Sequence, residues 1–156
     1  MVRRVFLVAI TAVLLGACST YHDTSRERLA TMTQRYSQFD LVMAWETSVV
    51  GENTLVEGAV KNVRWAFMYD LEIWVSVLDP GGKVVARSVS FVIPLQLNMD
   101  QSAEFSLKLP IPVEPGTKLR FTYKYRGSDG GDHSGFGLDS ALPWMQSFDA
   151  VVPPGN

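Results

Sequence analysis

The segment Lys118 to Arg126 constrains the fold more than any other stretch of this chain. Leu119, Phe121, Tyr123 and Tyr125 alternate without a break against Lys118, Arg120, Thr122, Lys124 and Arg126. Successive side chains of a strand point to opposite faces, so a period of two makes one apolar face and one wet face. A helix would scatter the same residues around its circumference. Asp70 to Asp79 repeats the pattern, with Leu71, Ile73, Val75 and Val77 on one side and Asp70, Glu72, Trp74 and Ser76 on the other. Phe105, Leu107 and Leu109 alternate with Ser106 and Lys108. Half-buried strands of this kind belong to antiparallel sheets.

The punctuation between them agrees. Asp79-Pro80-Gly81-Gly82 is a tight hairpin signal, because proline presets φ and glycine accepts positive φ. Pro115-Gly116 carries the same chemistry, and Gly51-Glu52-Asn53 separates two further apolar runs. Six strands are predicted, at 40–49, 54–63, 69–79, 83–93, 102–109 and 117–126, with a seventh near 144–151. Gly127 to Asp139, rich in Gly, Ser and Asp, reads as a surface loop. Short strands separated by turns, with no helical pattern between them, predict an all-β antiparallel sandwich over residues 38–152. Ahead of it, Thr24-Ser25-Arg26-Glu27 matches a capping box. Leu29, Met32 and Tyr36 follow at helical spacing, predicting a short solvated helix near 25–36. Residues 153–156 read as a flexible tail.

The strand sequence resembles a known family. Val56-Glu57-Gly58-Ala59-Val60-Lys61-Asn62, then Val75-Ser76-Val77-Leu78-Asp79 and Gly82-Lys83-Val84-Val85, resemble the FxLYD-type immunoglobulin-like domain of bacterial envelope proteins. In that pattern a G-x-V-x-N strand precedes a strand ending in Asp, a Gly turn and a second hairpin arm. Val75, Val77 and Leu78 stand where the family has Phe, Leu and Tyr, while Asp79 matches. The resemblance covers about residues 54–126. It implies a binding or scaffolding module and brings no catalytic residues.

The leader supplies an address. Arg3 and Arg4 precede an uncharged apolar run from Val5 to Leu15, too short to cross a bilayer. This is the layout of a secretory signal peptide over residues 1–17. Leu15-Gly16-Ala17-Cys18 resembles the lipobox of bacterial lipoproteins: an aliphatic residue, two small ones, then cysteine. The resemblance implies that Cys18 becomes the N-terminus and carries covalent lipid, the one attached group expected here. Two or three acyl chains, at about 0.8 kcal/mol per buried methylene, hold a protein on a membrane where one would not. Cys18 is the sole cysteine, so no internal disulfide competes for it. Ser19 resembles the residue that permits sorting onward to the outer membrane. The expected location is the cell envelope, at the periplasmic face of the outer membrane, with residues 18–37 as a lipidated stem.

Candidate chemistry is sparse. Removing residues 1–17 leaves 12 basic against 16 acidic residues, a net charge of −4, which is no footprint for nucleic acid. The two histidines are His22 and His133, and no Gly-x-Ser-x-Gly elbow, His-Glu-x-x-His helix or phosphate-cradling Gly-rich loop occurs. Nucleophilic catalysis needs a base beside the nucleophile, so no catalytic residues are assigned and a non-enzymatic role is expected. Asp129, Asp132 and His133 are the alternative, a metal- or ligand-binding loop, although their spacing does not match an EF-hand. Lys118, Arg120, Lys124 and Arg126 form a basic row that would face lipid phosphates, peptidoglycan carboxylates or an acidic partner such as an envelope protein, or else be balanced by cross-strand carboxylates. Trp65-Ala66-Phe67-Met68-Tyr69 would place aromatic side chains at the lip of the sandwich.

Overall fold

The alternating segments pair into two antiparallel sheets. The computed structural model describes residues 24–128 and 142–154. Their order is α1 (Thr24–Thr31), β1 (Gln34–Ser37), β2 (Leu41–Val50), β3 (Asn53–Asn62), β4 (Phe67–Leu78), β5 (Val84–Phe91), β6 (Gln96–Leu97), β7 (Ser102–Leu109), β8 (Lys118–Ser128) and β9 (Leu142–Val151). One sheet runs β1-β2-β3-β7; the other runs β5-β4-β8-β9, with β6 also pairing with β4. The sheets close on one core. Leu41, Met43, Trp45, Val56 and Val60 of the first meet Leu71, Ile73, Val75, Phe121 and Tyr123 of the second. This is a β-sandwich, and the inward residues of β4, β7 and β8 are those the alternation assigned.

Turn chemistry fixes the hairpins. Asp79 accepts from Gly82 N at 2.9 Å through its carbonyl and from Lys83 N at 2.8 Å through Oδ1. Gly82, at φ 82°, takes a conformation that a Cβ would strain. Asn62 is buried and stitches three segments together. Its Nδ2 donates to the carbonyls of Ala66 (2.8 Å) and Leu97 (2.9 Å), and its Oδ1 accepts from Arg64 N at 2.9 Å. The G-x-V-x-N run of β3 thus acquires a physical content. Gly58 leaves room for a neighbouring ring, Val60 fills the core, and Asn62 ties off the strand end.

Three expectations are corrected. The helix expected over 25–36 stops at Thr31, and Gln34–Ser37 instead joins the sheet as β1. Tyr36 looked helical by spacing but stacks on Phe148 with centroids 3.6 Å apart, a tertiary contact that outweighs local preference. Nor is α1 a solvated stem. Leu29 and Met32 are buried against Ala44 and Ala59, whose small side chains let the helix lie close on the outer face of the first sheet. Arg35 donates to the carbonyls of Met32 (3.1 Å) and Ala30 (2.7 Å), satisfying acceptors that the helix end leaves open. Lastly, Gly127 and Ser128, expected in a loop, complete β8.

Candidate functional site

The basic row lies on the outer face of the second sheet. β8 turns Leu119, Phe121, Tyr123 and Tyr125 inward, so Lys118, Arg120, Lys124 and Arg126 all point outward. The ladder then decides their partners. Arg120 stands opposite Asp149 of β9 and grips it with two hydrogen bonds, Nε to Oδ1 at 2.7 Å and Nη2 to Oδ2 at 3.0 Å. That contact holds the Asp149 carboxyl below its ordinary range and raises the Arg120 guanidinium above its own. Lys124 pairs with Glu72 at 3.6 Å. Arg126 reaches Asp70 Oδ2, with Nε at 3.0 Å. The balancing carboxylates expected of a wet strand face are therefore present for Arg120, Lys124 and Arg126.

Between these pairs the face is hollowed. Glu72, Trp74, Ser76, Arg87, Lys124 and Met145 are among the side chains lining a shallow cleft of about 400 Å³. Trp74 is half-buried on this outer face and donates its indole N–H to Glu72 Oε2 at 2.9 Å. Glu72 therefore sits between the indole and the Lys124 ammonium, which fixes the ring against the sheet. Arg87 of β5 donates Nε–H to Ser76 Oγ at 2.9 Å, and the hydroxyls of Thr122 and Ser147 meet at 2.7 Å. Met145 stands 67 % exposed at the rim. An aromatic floor, a flexible thioether and oriented cations can take a partner side chain with mixed apolar and acidic character. Nothing in the arrangement pairs a nucleophile with a base.

Alternation put Trp74 on the wet side of β4 and the basic row on the wet side of β8; the β4–β8 pairing brings them onto one face, and Arg87 and Met145 carried no such signal. The alternation within Val84–Phe91 is weak, and only its pairing with β4 puts Arg87 opposite Ser76. Met145 required the β8–β9 register, which sets it across from Lys124. Cys18 and the alternative metal set, Asp129, Asp132 and His133, lie outside the described residues. Among the described residues there is no group of three or more His, Cys, Asp or Glu side chains able to hold a metal ion. Among them, too, no helix is long and apolar enough to cross a membrane.

The comparisons bear on the fold. No family model matches the chain, and no curated protein matches it. Among solved structures, the GAE domain of GGA2p from Saccharomyces cerevisiae aligns with a TM-score of 0.50 at 9 % identity, over 79 % of this chain and 100 % of that one. A yeast GGA1 GAE domain aligns at a TM-score of 0.47 and 13 % identity, over 77 % of this chain and 99 % of that one. The first likeness is one of fold: the class defined here is an immunoglobulin-like β-sandwich.

Proposed function

We propose that this chain is a lipid-anchored envelope protein whose sandwich binds a protein partner without catalysis. The observation that carries the reading is the outer face of β4, β5, β8 and β9, where Trp74 and Met145 offer apolar contact among fixed cations. Aromatic and methionine side chains set in a ring of polar groups are the usual energetic centre of a protein interface. The lipobox-like Leu15-Gly16-Ala17-Cys18 supports the anchoring half of the proposal. Confinement by acyl chains at Cys18 raises the effective concentration of the cleft toward neighbours on the same membrane, without adding any contact. The mechanism is tethering, and the periplasmic face of the outer membrane is the location that Ser19 favours.

A photo-crosslinker replacing Met145 in the full-length chain, expressed in its own envelope, tests this. One protein adduct is expected, and it is lost on adding Trp74→Ala. An empty lane at position 145, or an adduct indifferent to Trp74→Ala, rules out this face. Mass spectrometry of the N-terminal peptide tests the anchor separately, and an unmodified Cys18 thiol removes it.

A further inference from the structure

The end of the sandwich at which the chain enters is apolar. Strand pairing brings together the start of β2 with the end of β3, the start of β4 with the end of β8, β6 with the start of β4, and the end of β8 with the start of β9. Asn62 at this end also bonds to the Gln101 carbonyl and the Asp100 amide, at 3.1 and 2.9 Å. On this one end Trp65, Ile93 and Leu95 are 67 %, 77 % and 62 % exposed, with Phe39 and Met99 also more than half exposed. Phe39 packs edge-on against Trp144 with centroids 5.6 Å apart, so the aromatic surface is held rather than loose. Scattered exposed apolar residues are ordinary, but large ones gathered on one tip mark a contact surface.

What covers that tip follows from where the chain comes in. Thr24 and Arg26 line the same groove, about 710 Å³, as Ile93 and Met99. Only six residue steps separate Thr24 from Cys18, a reach of at most about 22 Å at ~3.3–3.6 Å per residue. The opposite end, with the hairpin at 79–82, is further away by the length of β5, about 23 Å at ~3.3 Å per residue. A lipid chain on Cys18 therefore keeps this tip, and not the hairpin, within reach of the bilayer. Tryptophan and large aliphatic side chains partition into the interfacial zone of a membrane.

We infer that the Trp65–Ile93–Leu95–Met99 end of the sandwich seats on the lipid surface. This rests on the anchor at Cys18. It orients the molecule: the strands run up from the membrane, and the Trp74–Met145 face is presented sideways to neighbours. The lipid supplies the tether and the tip sets the angle, so the two contacts together amount to more than a flexible leash.

The test uses the full-length acylated protein in vesicles of phosphatidylethanolamine and phosphatidylglycerol. With Cys18 acylated, Leu95→Cys or Lys83→Cys provides a single free thiol for an environment-sensitive fluorophore. Position 95 is expected to emit to the blue of position 83, and nitroxide-bearing lipids quench it several-fold more strongly. In the unlabelled protein, brominated acyl chains quench tryptophan emission, and Trp65→Phe removes most of that effect. An acylated, vesicle-bound protein whose label at 95 emits as in water, like the label at 83, overturns the seating while leaving the anchor standing. A protein that carries no acyl group and stays in the aqueous fraction overturns the anchor, and the seating with it.

Discussion

Tyr125 donates its phenolic hydrogen to Asp40 Oδ2 at 2.9 Å, and both residues are sealed inside the sandwich. Tyr123, two positions earlier on β8, donates to the other oxygen of the same carboxyl at 3.0 Å. Asp40 precedes β2, and its carbonyl accepts from Val63 N at 3.0 Å. One buried acid thus joins the two sheets where the β2 and β3 strands meet β8. Asp40→Ala removes the carboxylate that accepts from both buried phenols. The expected loss is about 2–5 kcal/mol, read as a lower denaturation midpoint at an unchanged slope. Tyr123→Phe and Tyr125→Phe should each cost less than Asp40→Ala. Their combination should be non-additive, because they share one partner.

The same cluster makes the protein sensitive to alkali. Burial, then the neighbouring Asp40 carboxyl, raises the Tyr123 phenol far above its ordinary 10.0, and Tyr125 is raised as well by burial and its bond to Asp40. Below pH 10 both phenols keep their protons folded or unfolded, and the stabilisation is complete. Above it the unfolded chain releases those protons first, so stability falls as pH rises. Phenolate absorbance from Tyr123 and Tyr125 should appear only together with the loss of β-sheet circular dichroism. Absorbance from all 5 tyrosines in a still-folded protein would contradict this.

Gly58 faces inward on β3, opposite Phe105 of β7. A Cβ added there would lie 2.3 Å from the Ala44 carbonyl oxygen and 2.6 Å from Phe105 Cζ. The ring covers the glycine backbone and fills the space that a side chain would occupy. Gly58→Ala is expected to cost about 1–3 kcal/mol through overpacking. Trimming the ring with Phe105→Leu should not restore stability, since the clash with the Ala44 backbone remains. Thermal melts of the single and double variants check this.

Acid should act on two surface ion pairs, Arg120–Asp149 and Lys61–Asp100. Hydrogen bonding to Arg120 lowers the Asp149 carboxyl from 3.8, and bonding to Lys61 lowers Asp100 in the same way. Each contributes fully at neutral pH, and the contribution is lost as pH falls through the lowered values. Both pairs are solvent-exposed, so the effect is small and screened by salt. The Asp149 carboxyl resonance, followed by NMR, should titrate below 3.8 in the parent and move up with Arg120→Gln.

Strands that bury one face announce themselves through alternation, and β4, β7 and β8 were readable for that reason. β1 was not. Its four residues carry no period of their own, and Tyr36 sits in a run whose spacing also suits a helix. Only the stacking partner Phe148, more than a hundred residues away, settles its conformation. β6 is two residues long and owes its existence to pairing with Met68 and Tyr69. The cleft around Trp74 was half legible: alternation gave the face, but register chose Arg87 and Met145. The apolar end was hidden because the strand expected over 83–93 took in Phe91, Val92 and Ile93. Instead β5 ends at Phe91, only Val92 turns inward, and the neighbours on either side of it meet solvent.

Asn62 ties that end to the core, so its loss should loosen the surface inferred to meet lipid. Asn62→Ala removes donors to the Ala66 and Leu97 carbonyls and the acceptor of Arg64 N. Three backbone groups in a buried setting are left without partners, for an expected cost of about 2–4 kcal/mol. Asn62→Asp keeps the acceptor but sets its second oxygen against two carbonyls, so it should be no milder. Amide hydrogen exchange distinguishes local from global effects. Protection at Leu97 and Asp100 should fall in Asn62→Ala by more than it falls at Ile73 or Phe121, because those lie in the centre of the second sheet, where strands pair on both sides. Uniform loss across all four positions would mean that Asn62 supports the whole sandwich rather than this one end.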